Sequence, residues 1–151
     1  MSNDYFDERY TFHKQNNLSE AEELIKLGKK YLTGNGVPED DNKAFEYFKQ
    51  AADMNHPEGL ACLGEMYQYG YGCNSDYDKA AWLYQQSADL QCGKGEFRLG
   101  WLYLKADNLR VHLRRDVDKA KELYLRAYRH GYRDPLGILE TFVSSGGKIL
   151  L

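Results

Sequence analysis

Residues 27–53 read LGKKYLTGNGVPEDDNKAFEYFKQAAD, and residues 63–89 read LGEMYQYGYGCNSDYDKAAWLYQQSAD. Laid over one another at a shift of 36, they share Leu27-Gly28 with Leu63-Gly64, Tyr31 with Tyr67, the pair Gly34 and Gly36 with Gly70 and Gly72, and Lys43-Ala44 with Lys79-Ala80. Tyr47-Phe48 then answers to Leu83-Tyr84, and Ala51-Ala52 to Ser87-Ala88. A third copy follows. Leu99-Gly100 and Tyr103 keep the same spacing, whereas Asp118-Lys119-Ala120, Leu123-Tyr124 and Ala127-Tyr128 arrive after 40 residues. Self-similarity at such a period is the mark of a repeat architecture, in which one unit cannot bury its apolar face alone.

Each copy reads as two helices. The first spans about 20–33, 57–69 and 94–105, with apolar positions such as Leu24, Leu27 and Tyr31 at helical spacing. Ser19 with Glu22 reads as a capping box, Pro57 suits a first helical turn, and Gly34 or Gly70 suits the end. The second spans about 42–54, 77–90 and 117–130, with Asp76 or Asp116 near its start. Gly28, Gly64 and Gly100 stand inside first helices, where each costs about 0.8–1.0 kcal/mol relative to alanine. Three in register point to a packing reason: a partner helix approaches closely there, presenting Ala44, Ala80 and Ala120. The expected fold class is all-α.

With these residues on the page, the chain resembles the Sel-one-like repeat (SLR) family, relatives of the tetratricopeptide repeat. The shared pattern is Leu-Gly, Tyr, Gly-x-Gly, Asp, Ala, an aromatic pair and Ala-Ala. Cys73 replaces the family's usual valine, and in the third copy Ala106-Asp107-Asn108 replaces the glycine turn ahead of the enlarged stretch LRVHLRRD. The resemblance implies a right-handed α-solenoid, TPR-like, of three helix-pair repeats at about 19–55, 56–91 and 92–133. It also implies use as a protein-protein interaction scaffold. Residues 134–151 continue the register as a capping helix and tail, with Leu136 in the place of Leu60, Leu139 in that of Leu63 and Glu140 in that of Gly64. Residues 1–18, with Tyr5, Phe6, Tyr10 and Phe12, form either a packed N-terminal cap or a loose arm.

Composition bounds the function classes. At 151 residues, 42% hydrophobic and mean hydropathy −0.72, the chain suits one globular domain with no membrane span. Net charge −3 argues against a uniformly basic nucleic-acid binder. No export signal is visible, so a cytoplasmic location is expected. Three cysteines, Cys62, Cys73 and Cys92, read as apolar residues of a reducing compartment, a Cys62–Cys92 bridge being the alternative. His13, His56, His112 and His130 lack metal-ligand spacing, and neither a phosphate loop nor a nucleophile elbow is present. The chain is therefore expected to be no enzyme and to need no cofactor or metal; a catalytic site built on the solenoid is the minority alternative.

By analogy with tetratricopeptide proteins, the first helices line a concave surface. Positions not needed for packing then form a ladder: Glu22, Lys26, Lys29 and Thr33; Glu58, Cys62, Glu65 and Tyr69; Lys94, Arg98, Trp101 and Lys105. These rungs differ among copies whose packing positions agree. They are either a solvated face or partner contacts, and Trp101, aligned with Lys29 and Glu65, departs most from a solvated face. Charge is uneven too. Residues 1–90 carry 8 Lys/Arg against 16 Asp/Glu, and residues 91–151 carry 12 against 7, so net −8 faces net +5. Arg114 and Arg115 in the enlarged loop add to the basic half, which suits an acidic protein or peptide partner. The candidate contact residues are Lys26, Lys29, Glu65, Tyr69, Arg98, Trp101, Lys105, Arg114 and Arg115. An adaptor on this surface and an immunity or inhibitor protein that blocks one toxin or enzyme both fit; RNA binding lacks an aromatic-basic platform.

Overall fold

The computed structural model describes residues 8–149. Seven α-helices and no strands are found among them: α1 (Glu8–Thr33), α2 (Asp41–Asp53), α3 (Pro57–Tyr69), α4 (Tyr77–Asp89), α5 (Gly93–Lys105), α6 (Val117–Arg129) and α7 (Ile138–Ser144). The paired helices α1–α6 form a helical-repeat solenoid.

Each second helix begins the same way. Asp40, Asp76 and Asp116 lie in extended backbone and accept hydrogen bonds from the amides of Lys43, Lys79 and Lys119 at 2.9–3.0 Å. An N-cap carboxylate satisfies a donor that the helix leaves open and faces its positive end. The amides of the same three aspartates donate to the carbonyls of Tyr31, Tyr67 and Tyr103, closing each turn back onto its first helix. The closure survives the longer third turn. There α5 runs on into a single 3-10 turn at Ala106–Asn108, where α3 ends on the left-handed Gly70 (φ +72°). The extra residues pack Leu109, Val111 and Leu113 on the core, while His112 N–H donates to Asp78 at 2.7 Å. That bond lowers the Asp78 pKa, and an imidazole contact at 2.5 Å adds to it.

The helix glycines sit under rings. A methyl group at Gly28, Gly64 or Gly100 would lie 2.6, 2.5 or 2.8 Å from the ring of Phe48, Tyr84 or Tyr124 respectively. The second helix therefore presses an aromatic ring against the first helix's backbone, and the buried Ala44, Ala80 and Ala120 sit one turn away. The buried Tyr84 hydroxyl donates to Gln68 Oε1 at 2.7 Å, so the ring's polar tip is satisfied inside the core. A second glycine row governs the joint between repeats, because a methyl at Gly59 would strike Ala51 and one at Gly95 would strike Ser87.

Two expectations are corrected. Helix α1 already includes Glu8, the first described residue, with Ser19 in its interior, because no glycine or proline interrupts residues 8–27 and nothing stops the helix at the proposed capping box. Residues 8–18 therefore continue α1; Tyr5, Phe6 and the side chains of Tyr10 and Phe12 lie outside the described residues. At the other end Leu136 does not take the place of Leu60. It is 83% exposed, because Asp134 accepts from the amides of Leu136, Ile138 and Leu139 and delays helix α7 to Ile138. Leu139 and Phe142 are buried, whereas Glu140 stays exposed and pairs with Arg133 at 3.2 Å.

One core position carries a charge. Glu96 occupies the column of Leu24 and Leu60, yet is fully buried, with Arg126 at 2.9 Å and His130 Nδ1 at 2.7 Å. Arg126 also donates to the Ala88 carbonyl at 3.0 Å, so it ties α6 to both α5 and the end of α4.

Gly64→Leu is expected to overpack against Tyr84 and lower stability by about 1–3 kcal/mol, read by thermal denaturation; an unchanged melting curve would refute the ring-on-backbone contact. Arg126→Met should destabilise by about 3 kcal/mol by leaving Glu96 buried without its cation, and the double variant Glu96→Leu/Arg126→Met should recover most of the loss. Equal stability of the single and double variants would show that the pair is not coupled.

Candidate functional site

The backbones of α1 and α3 approach closely, as do those of α3 and α5, whereas the backbones of α2, α4 and α6 stand farther apart. Judged by their backbones the first helices thus form the tighter, inner row of the stack, the second helices being linked only through side chains such as Arg126, and the outward-facing residues of the first helices share one concave face. Along this row the repeats are joined by ion pairs. Lys29 of α1 meets Glu58 of α3 at 2.6 Å, and Glu65 of α3 meets Lys94 of α5 at 2.5 Å. These occupy equivalent positions of successive repeats with the charges exchanged.

Glu65 also receives the Arg98 guanidinium, which reaches Tyr69 as well, donating to its hydroxyl at 3.2 Å and standing 5.9 Å from its ring centre. Tyr69 remains 49% exposed and lies 5.6 Å, ring to ring, from the exposed Tyr71. Burial alone would raise the Glu58 pKa, but the Lys29 hydrogen bond and charge outweigh it and hold it below the usual value. Burial alone would lower the Lys94 pKa, and the neighbouring Cys62 and Glu65 reverse that to a net rise. Both groups are therefore charged at neutral pH.

The structure thus brings Glu65, Tyr69 and Arg98 together. Lys29 joins the adjoining Glu58, whereas Lys26 pairs within its own helix with Glu23 at 2.6 Å, both side chains largely in water. Trp101 is partly buried, and with Lys105 it borders a cavity below α7. Arg114 and Arg115 are exposed in the loop anchored at Asp78, and among the described residues they share no hydrogen bond or ion pair with the ladder. Cys62 was expected on the ladder and is not there: it is buried beneath Lys94, whose Nζ lies 3.4 Å from its sulfur. A cysteine's small apolar side chain lets the long lysine stem close over it.

Sequence reasoning passed over Trp82, which projects 62% exposed from α4. The register could have flagged it, because Glu46 and Glu122 hold the equivalent positions. It borders a groove of about 320 Å³ between α2 and α4. All three cysteines are free, so the Cys62–Cys92 bridge is not formed. Among the described residues no three potential metal ligands cluster, and no helix is long and apolar enough to cross a membrane.

The comparisons with known proteins agree with the repeat fold. The Sel1 repeat family pattern matches residues 24–56, 57–92 and 93–132. A Sel1 repeat protein from Oxalobacter formigenes superposes with a TM-score of 0.69 at 27% identity, over 85% of this chain and 53% of that one. A protective antigen of uropathogenic Escherichia coli displaying an SLR fold gives 0.67 at 27%, over 85% of this chain and 27% of that one. The chain thus spans about half the length of the first and about a quarter of the second. Cysteine rich protein B of Helicobacter pylori gives 0.61 at 23%, over 91% and 99%, a likeness of fold. No curated protein matches the sequence.

Burial pushes the Cys62 thiol pKa up to about 11, against the opposing pull of Lys94. At pH 8 the reactive thiolate is therefore scarce. Cys62 should react with a thiol reagent only on unfolding, and all three thiols should titrate in denaturant; fast labelling of native Cys62 would contradict the packed arrangement.

Proposed function

The chain belongs to the Sel1 repeat family, whose members are generally protein-interaction scaffolds and typically non-catalytic, and from that premise we propose that it binds a segment of an acidic partner protein on the face of α1, α3 and α5. One observation carries the reading. The packing columns repeat almost unchanged, while the inner face sets an ordered Glu65–Arg98–Tyr69 group beside half-exposed aromatic rings. Tyrosine and arginine held in place by neighbours are the side chains that dominate protein interfaces, because little freedom is lost when a partner arrives. The net +5 of residues 91–151 favours a partner of opposite charge and speeds its encounter. A cytosolic setting belongs to the same reading and is supported by three unpaired thiols, one of them packed as an apolar residue.

Affinity capture from the native cell extract tests this, using wild-type protein beside Tyr69→Ala and Lys26→Glu/Lys29→Glu variants. The wild type should retain a partner that the variants bind at least tenfold more weakly at unchanged melting temperature, and binding should weaken with salt. Equal capture by all three would overturn the concave-face reading. A single stoichiometric partner would mark an inhibitor or immunity protein, and several partners an adaptor.

A further inference from the structure

The inner row of helices is interrupted once. Helix α7 follows α5 in that row and packs on α6, but unlike α3 against α1, or α5 against α3, its backbone stands off its inner neighbour, and the two share only an apolar side-chain cluster that includes Phe97, Leu104, Leu139 and Phe142. The gap is a half-open cavity of about 340 Å³, walled by Trp101, Leu104, Ile138, Phe142 and Ile149, with Leu136 on its edge. Leu136 is the most exposed of the large apolar residues, and its exposure is imposed by the Asp134 cap rather than by a lack of structure. Among the described residues no side chain fills this apolar hollow, and a fixed, exposed leucine edges it, which makes it a candidate contact surface. Two exposed cations complete it, Lys105 from α5 and Lys148 beyond α7, neither paired with a carboxylate among the described residues.

The contrast along the ladder is informative. Lys29 and Glu65 each find an opposite charge on the next inner helix, at 2.6 and 2.5 Å. Trp101 holds the third equivalent position, and the residue that the register sets opposite it, Asp134, is spent on capping α7. The row of internal ion pairs therefore ends in an indole beside the open hollow. The hollow is at the lower edge of the size range of small-ligand sites and suits one large side chain. Its paired lysines select what lies beside that side chain.

We infer that this cavity is the anchor pocket for an acidic peptide segment of the partner, taking one large apolar side chain between α5 and α7 while Lys105 and Lys148 bind the carboxylates on either side of it. The inference rests on the concave-face reading and names the chemistry at one end of that face. Because Trp82 and Trp101 are the chain's two tryptophans, Trp82→Phe leaves Trp101 as the sole reporter.

The probes are three synthetic peptides, acetyl-Glu-Glu-Phe-Glu-Glu-amide, the same peptide with Ala for Phe, and the same peptide with Gln for every Glu. Each is titrated into the Trp82→Phe protein and followed by Trp101 emission. The acidic Phe peptide should give a saturable change; the Ala peptide should bind at least tenfold more weakly, and the Gln peptide several-fold more weakly. Lys105→Gln/Lys148→Gln should bring the acidic peptide down to the level of the Gln peptide, and Leu136→Asp, a change at an exposed side chain that leaves folding intact, should weaken it as well. Equal binding of the Phe and Ala peptides, indifference to the lysines, or a dimer of the chain that closes the cavity would each overturn the inference. No partner enters this titration, so it judges the pocket alone. Partner capture that ignores Tyr69 would instead overturn the concave-face reading and leave the peptide result standing.

Discussion

The fold depends on an aromatic ring lying against bare helix backbone. At Gly28, Gly64 and Gly100 there is no room for even a methyl group beneath Phe48, Tyr84 and Tyr124. Glycine within a helix is unfavourable by itself, so its triple recurrence is explained only if the close crossing returns more than it costs. The return is the burial of a large ring at each crossing, with Tyr84 and Tyr124 both essentially inaccessible. The joint between repeats obeys a related rule with smaller groups, Gly59 against Ala51 and Gly95 against Ser87. The two glycine rows set the spacing within and between pairs, and thereby place the first helices side by side on one face.

That side-by-side placement decides what the inner face can be. Neighbouring rungs stand close enough for ion pairs, and the sequence supplies them in alternating sense, Lys29 with Glu58 and then Glu65 with Lys94. The exposed Lys29–Glu58 pair adds little to stability, whereas Glu65–Lys94 is largely buried. Their effect is to hold long side chains in one arrangement, and the Glu65–Arg98–Tyr69 group is the clearest case. The same bonding removes candidates from the free surface: Lys26 and Lys29 reach a partner only by exchanging an existing carboxylate for a new one.

The repeat period made the fold legible, because each structural role recurs at a fixed spacing: Asp caps, turn glycines, ring and glycine columns. Departures were harder to read. The start of α1 was misplaced because a capping-box pattern is a local signal, and a helix with no breaker upstream continues through it. Leu136 was misplaced because the register predicts where a side chain would point if the helix had begun, while the Asp134 carboxylate decides when it does begin. On the candidate face, Cys62 was taken as a rung because spacing assigns it there; only the fold of Lys94 across it shows that the lysine, and not the cysteine, meets solvent. Glu96 was legible in principle as a charge in a leucine column, but its partners Arg126 and His130 lie 30 and 34 residues on and come together only in three dimensions.

The exceptions are not spread evenly. Glu96 in place of leucine, the enlarged turn, Trp101 in place of a charged rung and the late start of α7 all fall after residue 91. The first two repeats obey the pattern closely and serve as framework. In the third, the buried Glu96 carboxylate of α5 faces the partly exposed Arg126 and His130 at α6, a charged contact that is more sensitive to geometry than the leucines of the same column. It joins the Gly100–Tyr124 contact at the α5–α6 crossing. Helix α7 lays Leu139 and Phe142 on the same α5–α6 layer, in one apolar cluster with Phe97, Leu104 and Tyr124, so the polar contact at Glu96 and the open apolar hollow beside Trp101 are built on one support.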